Sequence, residues 1–536
     1  MLTVTRCLRL STRGQVILPV VLLVLSGCAV LPTDLGRSDV DALVGERGKP
    51  VDAGTGGNAA SLVELLTSQP LDAESAIRIA LVNNPELKAS YAQLGFAAAD
   101  VYAAGRIRNP VFSTSILDSN QAEDRNQVTF GLAASFTDLL TMGARKRLAT
   151  AEFTRMKQTI GAEVLKVAAD TEAAYYRFVA ARQVAALRAQ IARAGRLSAT
   201  LAERYHDAGN LTPRDLALER AAAAEAQLAA LEADAETYGL RTDLATVLGL
   251  SVAGAWDAPT RLPLPLDQED ALPGLLELAK LSRLDLAAAH AHADIVADRL
   301  GVTGWTRWLG ELEVGAERER DTDGSRLTGP TVSWEIPIFT QHRDELLRVD
   351  AQLQIAIADV QRLSIAVDNS VRLAYTATTN ARARIDQYRH RLIPARRAAV
   401  DRAQEEENFM LIGIFELLSA KQQEYDAYQG YFEALRDYWL SRVELARAVG
   451  NTLPSSANIS EQRLDVDEYI RPKTADKHSG HGNMGDEPRM APMDHSKHSG
   501  KDNQPKDNEV SPDQGVVPPG LHQGHDLHQN TDGGSQ

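Results

Sequence analysis

The chain has 536 residues, enough for several compact domains or for one elongated unit. A hydrophobic share of 44% supports a folded body, whereas only 5% aromatic residues favours long, closely packed helices over a bulky core. The formal net charge of −15 argues against a general nucleic-acid binder and suits a soluble surface or a lumen that draws cations.

Residues 1–27 read as a signal peptide. Arg6, Arg9 and Arg13 form a positive n-region, and residues 16–25 form an apolar stretch too short for a spanning helix. It runs into Leu25-Ser26-Gly27-Cys28, which resembles the lipobox of bacterial lipoproteins and makes Cys28 the expected acylation site. The alternative is an ordinary signal peptide that happens to contain a cysteine. The other cysteine, Cys7, lies in the removed segment, which leaves no thiol for disulfides or catalysis. Ala29 and Val30 follow Cys28, and the lack of an Asp there implies outer-membrane delivery. Residues 28–70 are then a lipid-anchored N-terminal segment.

Residues 77–105 read as a helix in which Asn84-Pro85-Glu86-Leu87 suits an early turn or a local break. Residues 275–301 have the same character, with Arg283-Leu284-Asp285-Leu286 at the matching place. Each is followed by two strand-like segments, a very long helix, a glycine-marked turn and a return helix. This gives a repeat at 71–250, a Pro-rich linker at 251–273, a second repeat at 274–453 and a C-terminal segment at 454–470. The spacing is far longer than that of common repeat arrays.

The strands are expected at about 111–117, 128–136, 309–318 and 327–336. Val128, Phe130, Leu132, Ala134 and Phe136 alternate with small or polar residues, as do Val332, Trp334 and Ile336. Such period-two alternation is the signature of transmembrane barrel strands, or else of a small soluble sheet. Four strands cannot close a barrel, and open edges cannot face lipid, so a spanning role requires several chains to pool their strands.

Residues 341–408 contain no Gly and one Pro, Pro394, and Leu346, Leu353, Val360, Val367, Ala374 and Ala381 recur every seven residues. That repeat implies supercoiling against neighbours in a rod on the order of 100 Å long. Residues 142–205 form a comparable rod. Gly209 and Gly413 mark the turns and suit helix C-termini at positive φ. There is no Ser/His/Asp order, Walker loop or HExxH motif, and no enzyme activity is expected.

With these elements in order, the chain resembles the TolC-like outer-membrane efflux proteins over about residues 71–453. The resemblance rests on the duplicated plan, the turn Gly413–Gln422, and the crossings at Ser333-Trp334-Glu335-Ile336-Pro337-Ile338-Phe339 and Phe136-Thr137-Asp138-Leu139. It implies a mostly α fold with a small β part: long coiled-coil-like helices form a periplasmic tunnel, and four transmembrane strands per chain contribute to a twelve-stranded barrel shared by a homotrimer. It further implies a periplasmic adaptor and an inner-membrane pump of the RND type as partners, with both chain ends in the periplasm. Carboxylates after the helical turns ring the closed end in that family, and Asp215 and Glu416 occupy those places here. The plain alternative is a pair of helix-start carboxylates favoured by the helix dipole.

Residues 471–536 change composition to Lys, Asp, Gly, Pro, Ser and Asn, and read as disordered. This tail holds His478, His481, His495, His498, His522, His525 and His528, together with Met484, Met490 and Met493. Imidazole with thioether suits copper or silver, and imidazole alone suits zinc, cobalt or nickel. Transient metal contact by the tail is expected, with no resident cofactor required. His290, His292 and His390 sit on helices where structural or solvated roles are expected. The cargo is read as metal cations, with drugs or other organic compounds as the alternative. A lipid-anchored metal-binding scaffold without a pore is the reading from another class.

Overall fold

The computed structural model describes residues 33–49, 51, 59–118, 125–339 and 341–459. Cys28, the expected signal peptide at 1–27 and the His- and Met-bearing residues 471–536 lie outside the described residues.

The N-terminal segment forms α1 (Arg37–Gly45) and α2 (Ala59–Thr67). Val40 and Val44 of α1 are buried in a cluster with Phe153, Ile160 and Val164, so this segment is packed onto the long helix that follows.

Two helices, α3 (Ala73–Asn83) and α4 (Pro85–Ala104), occupy the region read as one helix with an early turn or local break at Asn84-Pro85, and the structure has the break. Asn84 divides them: its side chain accepts from Leu87 N at 3.0 Å as an N-cap, and Pro85 sits at the first helical position, where no N–H is needed. In the second half α7 (Leu272–Ser282) and α8 (Leu284–Thr306) are divided at Arg283. Both breaks dock on a helix end. Asn84 Nδ2 donates to Val247 O at 2.8 Å, and Arg283 donates to Arg447 O at 3.2 Å and Ala448 O at 3.0 Å.

The sheet is antiparallel, in the order β1 (Val111–Leu117), β2 (Gln127–Ser135), β3 (Leu312–Arg320) and β4 (Arg326–Trp334). The β2–β3 pair joins the two halves of the chain, with Leu132 opposite Ala316. The third strand thus starts at Leu312, not 309, because Gly310 turns the backbone at φ +60°. A Cβ there would lie 1.9 Å from Glu335 O, so only glycine fits. The fourth ends at Trp334, not 336, ahead of Pro337, which has no N–H to offer a ladder. Pro330 lies in β4, which is an edge strand within the single chain.

From the sheet runs α5 (Phe136–Asp207), whose 72 residues span about 110 Å. It turns at Gly209, φ +77°, into α6 (Pro213–Leu248). In the second half the rod is interrupted. It comprises α9 (Arg343–Gln387), a π-helical turn (Tyr388–Leu392) and α10 (Ile393–Asn408), followed by the return helix α11 (Ile414–Val449). The interruption is traceable to Pro394, which lacks an N–H and whose ring crowds the carbonyl four residues back; one wider turn accommodates both. Along α9 the positions at 346, 349, 353, 356, 360, 363 and 367 are buried or half-buried, in steps of three and four, as a supercoiled seam requires.

The Gly413 expectation fails. Gly413 has φ −82° and caps the start of α11, while Met410 takes the left-handed conformation at φ +57°. The helix simply ends earlier: Met410 N donates to Glu407 O at 2.8 Å and Leu411 N to Glu406 O at 2.9 Å, which puts Met410 one residue past the C-cap Phe409.

The main core lies where α5 and α11 meet the linker. Tyr176 stacks on Trp439 at 5.2 Å between ring centroids, and Phe178 meets Trp256 edge-on at 6.0 Å. Trp439 Nε1 donates to Pro263 O at 3.0 Å, Leu266 N donates to the Tyr438 hydroxyl at 3.1 Å, and Arg442 pairs with Glu269. Burial, and then the Glu269 carboxylate, push the Tyr438 phenol up, so it stays a neutral donor to that carboxylate. No described helix is long and apolar enough to cross a membrane, which says nothing of the sheet.

Candidate functional site

Directly paired residues of neighbouring strands lie on the same face, so the register sorts the sheet's side chains. One face carries Phe112, Thr114 and Ile116 of β1, Val128, Phe130, Leu132 and Ala134 of β2, Leu312, Val314 and Ala316 of β3, and Pro330, Val332 and Trp334 of β4. Phe112 is 64% exposed, Leu132 52%, Val332 68% and Trp334 53%, an apolar surface left open by the described residues. Phe112 and Phe130 stack on it at 6.3 Å.

The opposite face is polar. Ser113, Ser115, Thr129, Ser135, Thr331 and Ser333 share it with Glu313, Glu317 and Glu319, and Glu319 is bonded to Gln127. Val111, Leu117 and Leu327, at or next to strand ends, and the small Ala133 are its apolar exceptions. No strand residue of this face is basic. The glutamate column was not foreseen, although its signal is present in Glu317-Arg318-Glu319-Arg320: strict alternation of sign places each sign on its own face.

The strand-to-helix crossing is fixed by a buried carboxylate. Asp138, 4% exposed in the first turn of α5, receives Arg108 Nε at 2.5 Å and Arg108 Nη2 at 3.0 Å, and Arg145 approaches at 3.5 Å. The hydrogen-bonded Arg108 guanidinium holds the Asp138 carboxyl below its usual range against the opposing effect of burial. Thr137 bridges the halves, donating from Oγ1 to Gly310 O at 3.1 Å and accepting from Leu312 N at 2.8 Å. Trp334 Nε1 donates to Leu309 O at 2.9 Å. Both crossings singled out in the sequence therefore hold the same intervening segment, residues 309–312.

The acids at the far turns each occupy the first turn of a return helix. Glu416 is exposed and accepts from Gly413 N at 2.6 Å. Asp215 is half-buried and accepts from the Thr212 hydroxyl at 2.7 Å, while its own N–H donates back to that oxygen at 3.1 Å. No hydrogen bond or ion pair joins Asp215 to Glu416 among the described residues. Phe409, Met410 and Leu411 at the turn are 77%, 93% and 74% exposed. His290, His292 and His390 are exposed, and no cluster of three or more potential metal ligands occurs among the described residues.

A mostly helical unit with a small antiparallel sheet is a fold shared with solved membrane proteins, an outer-membrane channel among them. A membrane protein from Pseudomonas aeruginosa superposes with a TM-score of 0.61 at 17% identity, covering 74% of this chain and 93% of its own. The CmeC outer membrane channel of Campylobacter jejuni superposes with a TM-score of 0.58 at 15% identity, covering 75% of this chain and 88% of its own. In sequence, protein CyaE of Bordetella pertussis is 26% identical over 340 residues, 58% of this chain and 69% of that protein. No family model matches the chain.

Proposed function

We propose that the protein is a TolC-like outer-membrane channel component of a tripartite efflux system. Three copies share a twelve-stranded barrel, and each copy is an internal duplication of a helix–hairpin–helix plan. The observation that carries this reading is the sheet: an exposed apolar face, an acid-bearing polar face, and two unpaired edges, β1 and β4. A lipid-facing sheet must close on itself, and four strands cannot, so copies complete one another's edges. The helices support the same assembly. Leu347, Ile355, Ile365 and Leu373 of α9 are 68%, 64%, 63% and 73% exposed and lie within about 80° of each other around the helix, nearly opposite its buried seam.

In this assembly Glu313, Glu317 and Glu319 face the lumen, and Asp215 and Glu416 ring the periplasmic end; both sets favour cations. The exposed apolar turn at Phe409–Leu411 suits docking of a periplasmic adaptor, which couples the channel to an inner-membrane pump. Cys28 carries the lipid, and both chain ends stay in the periplasm. The cargo is a metal cation, with copper and silver first among candidates because the tail joins His to Met.

Metal tolerance of a deletion strain, complemented with the full chain or with a chain ending at Arg471, tests the cargo. Sensitivity to copper or silver, restored fully by the long form and partly by the short one, is the expected result. Sensitivity to drugs alone, cured without the tail, would leave the channel and remove the metal.

A further inference from the structure

On β3, Arg318 and Arg320 alternate with Glu317 and Glu319, so the arginines fall on the apolar face. Arg326 of β4 stands directly opposite Arg320 on that face. Like charges in directly opposed positions repel, and the strand residues of this face include no carboxylate. Among the described residues no ion pair or hydrogen bond engages the three guanidinium groups, and Arg320 Nε is enclosed without a partner. The nearby turn carboxylates Asp321 and Asp323 accept from Thr322 N and Ser325 N, each at 2.7 Å.

Their height is set by the strand. Arg326 and Trp334 begin and end β4, and eight steps of roughly 3.3 Å, tilted by about 40°, separate them by about 20 Å along the barrel axis. The arginines therefore stand at one border of the apolar band and Trp334 at the other. In a bilayer that border is the headgroup level of the outer leaflet.

We propose that Arg318, Arg320 and Arg326 form a binding site for the phosphate groups of an outer-leaflet lipid, one site per copy, with its acyl chains lying along the apolar face beside Phe130 and Val332. Guanidinium forks match phosphate oxygens, and a bridging anion relieves the Arg320–Arg326 repulsion. A free phosphate would satisfy the arginines but leave the apolar band beneath them bare. The site rests on the channel reading, because the sheet must lie in a bilayer.

The full-length protein, purified in detergent, is offered bisphosphorylated lipid A or the same lipid freed of phosphate, and bound lipid is counted by native mass spectrometry. The expected result is a preference of roughly tenfold or more for the phosphorylated lipid. The combined Arg318→Gln, Arg320→Gln, Arg326→Gln variant loses it, and millimolar inorganic phosphate does not displace it. Equal retention of both lipids, or an unchanged preference in the variant, overturns the site. Displacement by inorganic phosphate overturns the lipid as occupant. Planar-bilayer conductance of the same preparations separates the two readings. A conducting trimer without the preference removes this site alone, whereas a chain that neither assembles nor conducts removes the channel as well.

Discussion

At Met410 a side chain sits in backbone space that glycine enters freely, at a cost of about 1–2 kcal/mol. Met410→Gly is therefore expected to raise stability by up to about 1 kcal/mol after the added chain entropy of the unfolded state is counted. Gly209→Ala should lower it by a similar amount, since Gly209 holds φ +77°. Thermal melts of both variants check the pair. Glycine alone was not a sufficient signal in the sequence: at the second turn the helix terminated earlier than Gly413, through hydrogen bonds that only the chain's path discloses.

Asp138 gives a pH test at the same scale. Its folded pKa lies below the ordinary 3.8, so its contribution is present above that value and is lost as pH falls through the lower folded value. Asp138→Asn should melt earlier than the wild type at neutral pH, and the gap should close in strong acid. A constant gap at all pH values would deny the ion pair its role.

Among elements, the long helices and the strands were legible because their signals are local: seven-residue apolar spacing and period-two alternation. The breaks were less so. The π-helical turn before Pro394 and the division at Arg283 depend on which carbonyls lie within reach, which is a property of packing. The linker's path was likewise hidden, because Trp439, Tyr438 and Arg442 grip it from about 170 residues away. That grip is testable. Glu269→Ala leaves the buried Arg442 without its charge partner and should cost about 3–5 kcal/mol. Adding Arg442→Met should recover much of the loss, whereas an additive loss would mean the pair is not coupled.

For the whole molecule, the sequence carried the argument that membrane-spanning strands would oblige copies to pair, but concealed the charge sorting of the sheet, because the strand register decides which face each Glu and Arg shares. Planar-bilayer recording of the purified full-length protein is the most direct measurement of the central claim. Trimeric protein should open discrete conductances whose reversal potential in a salt gradient favours cations. The Glu313→Gln, Glu317→Gln, Glu319→Gln variant should lose much of that preference while still conducting. A stable monomer that stays in solution and opens no conductance would contradict the channel outright.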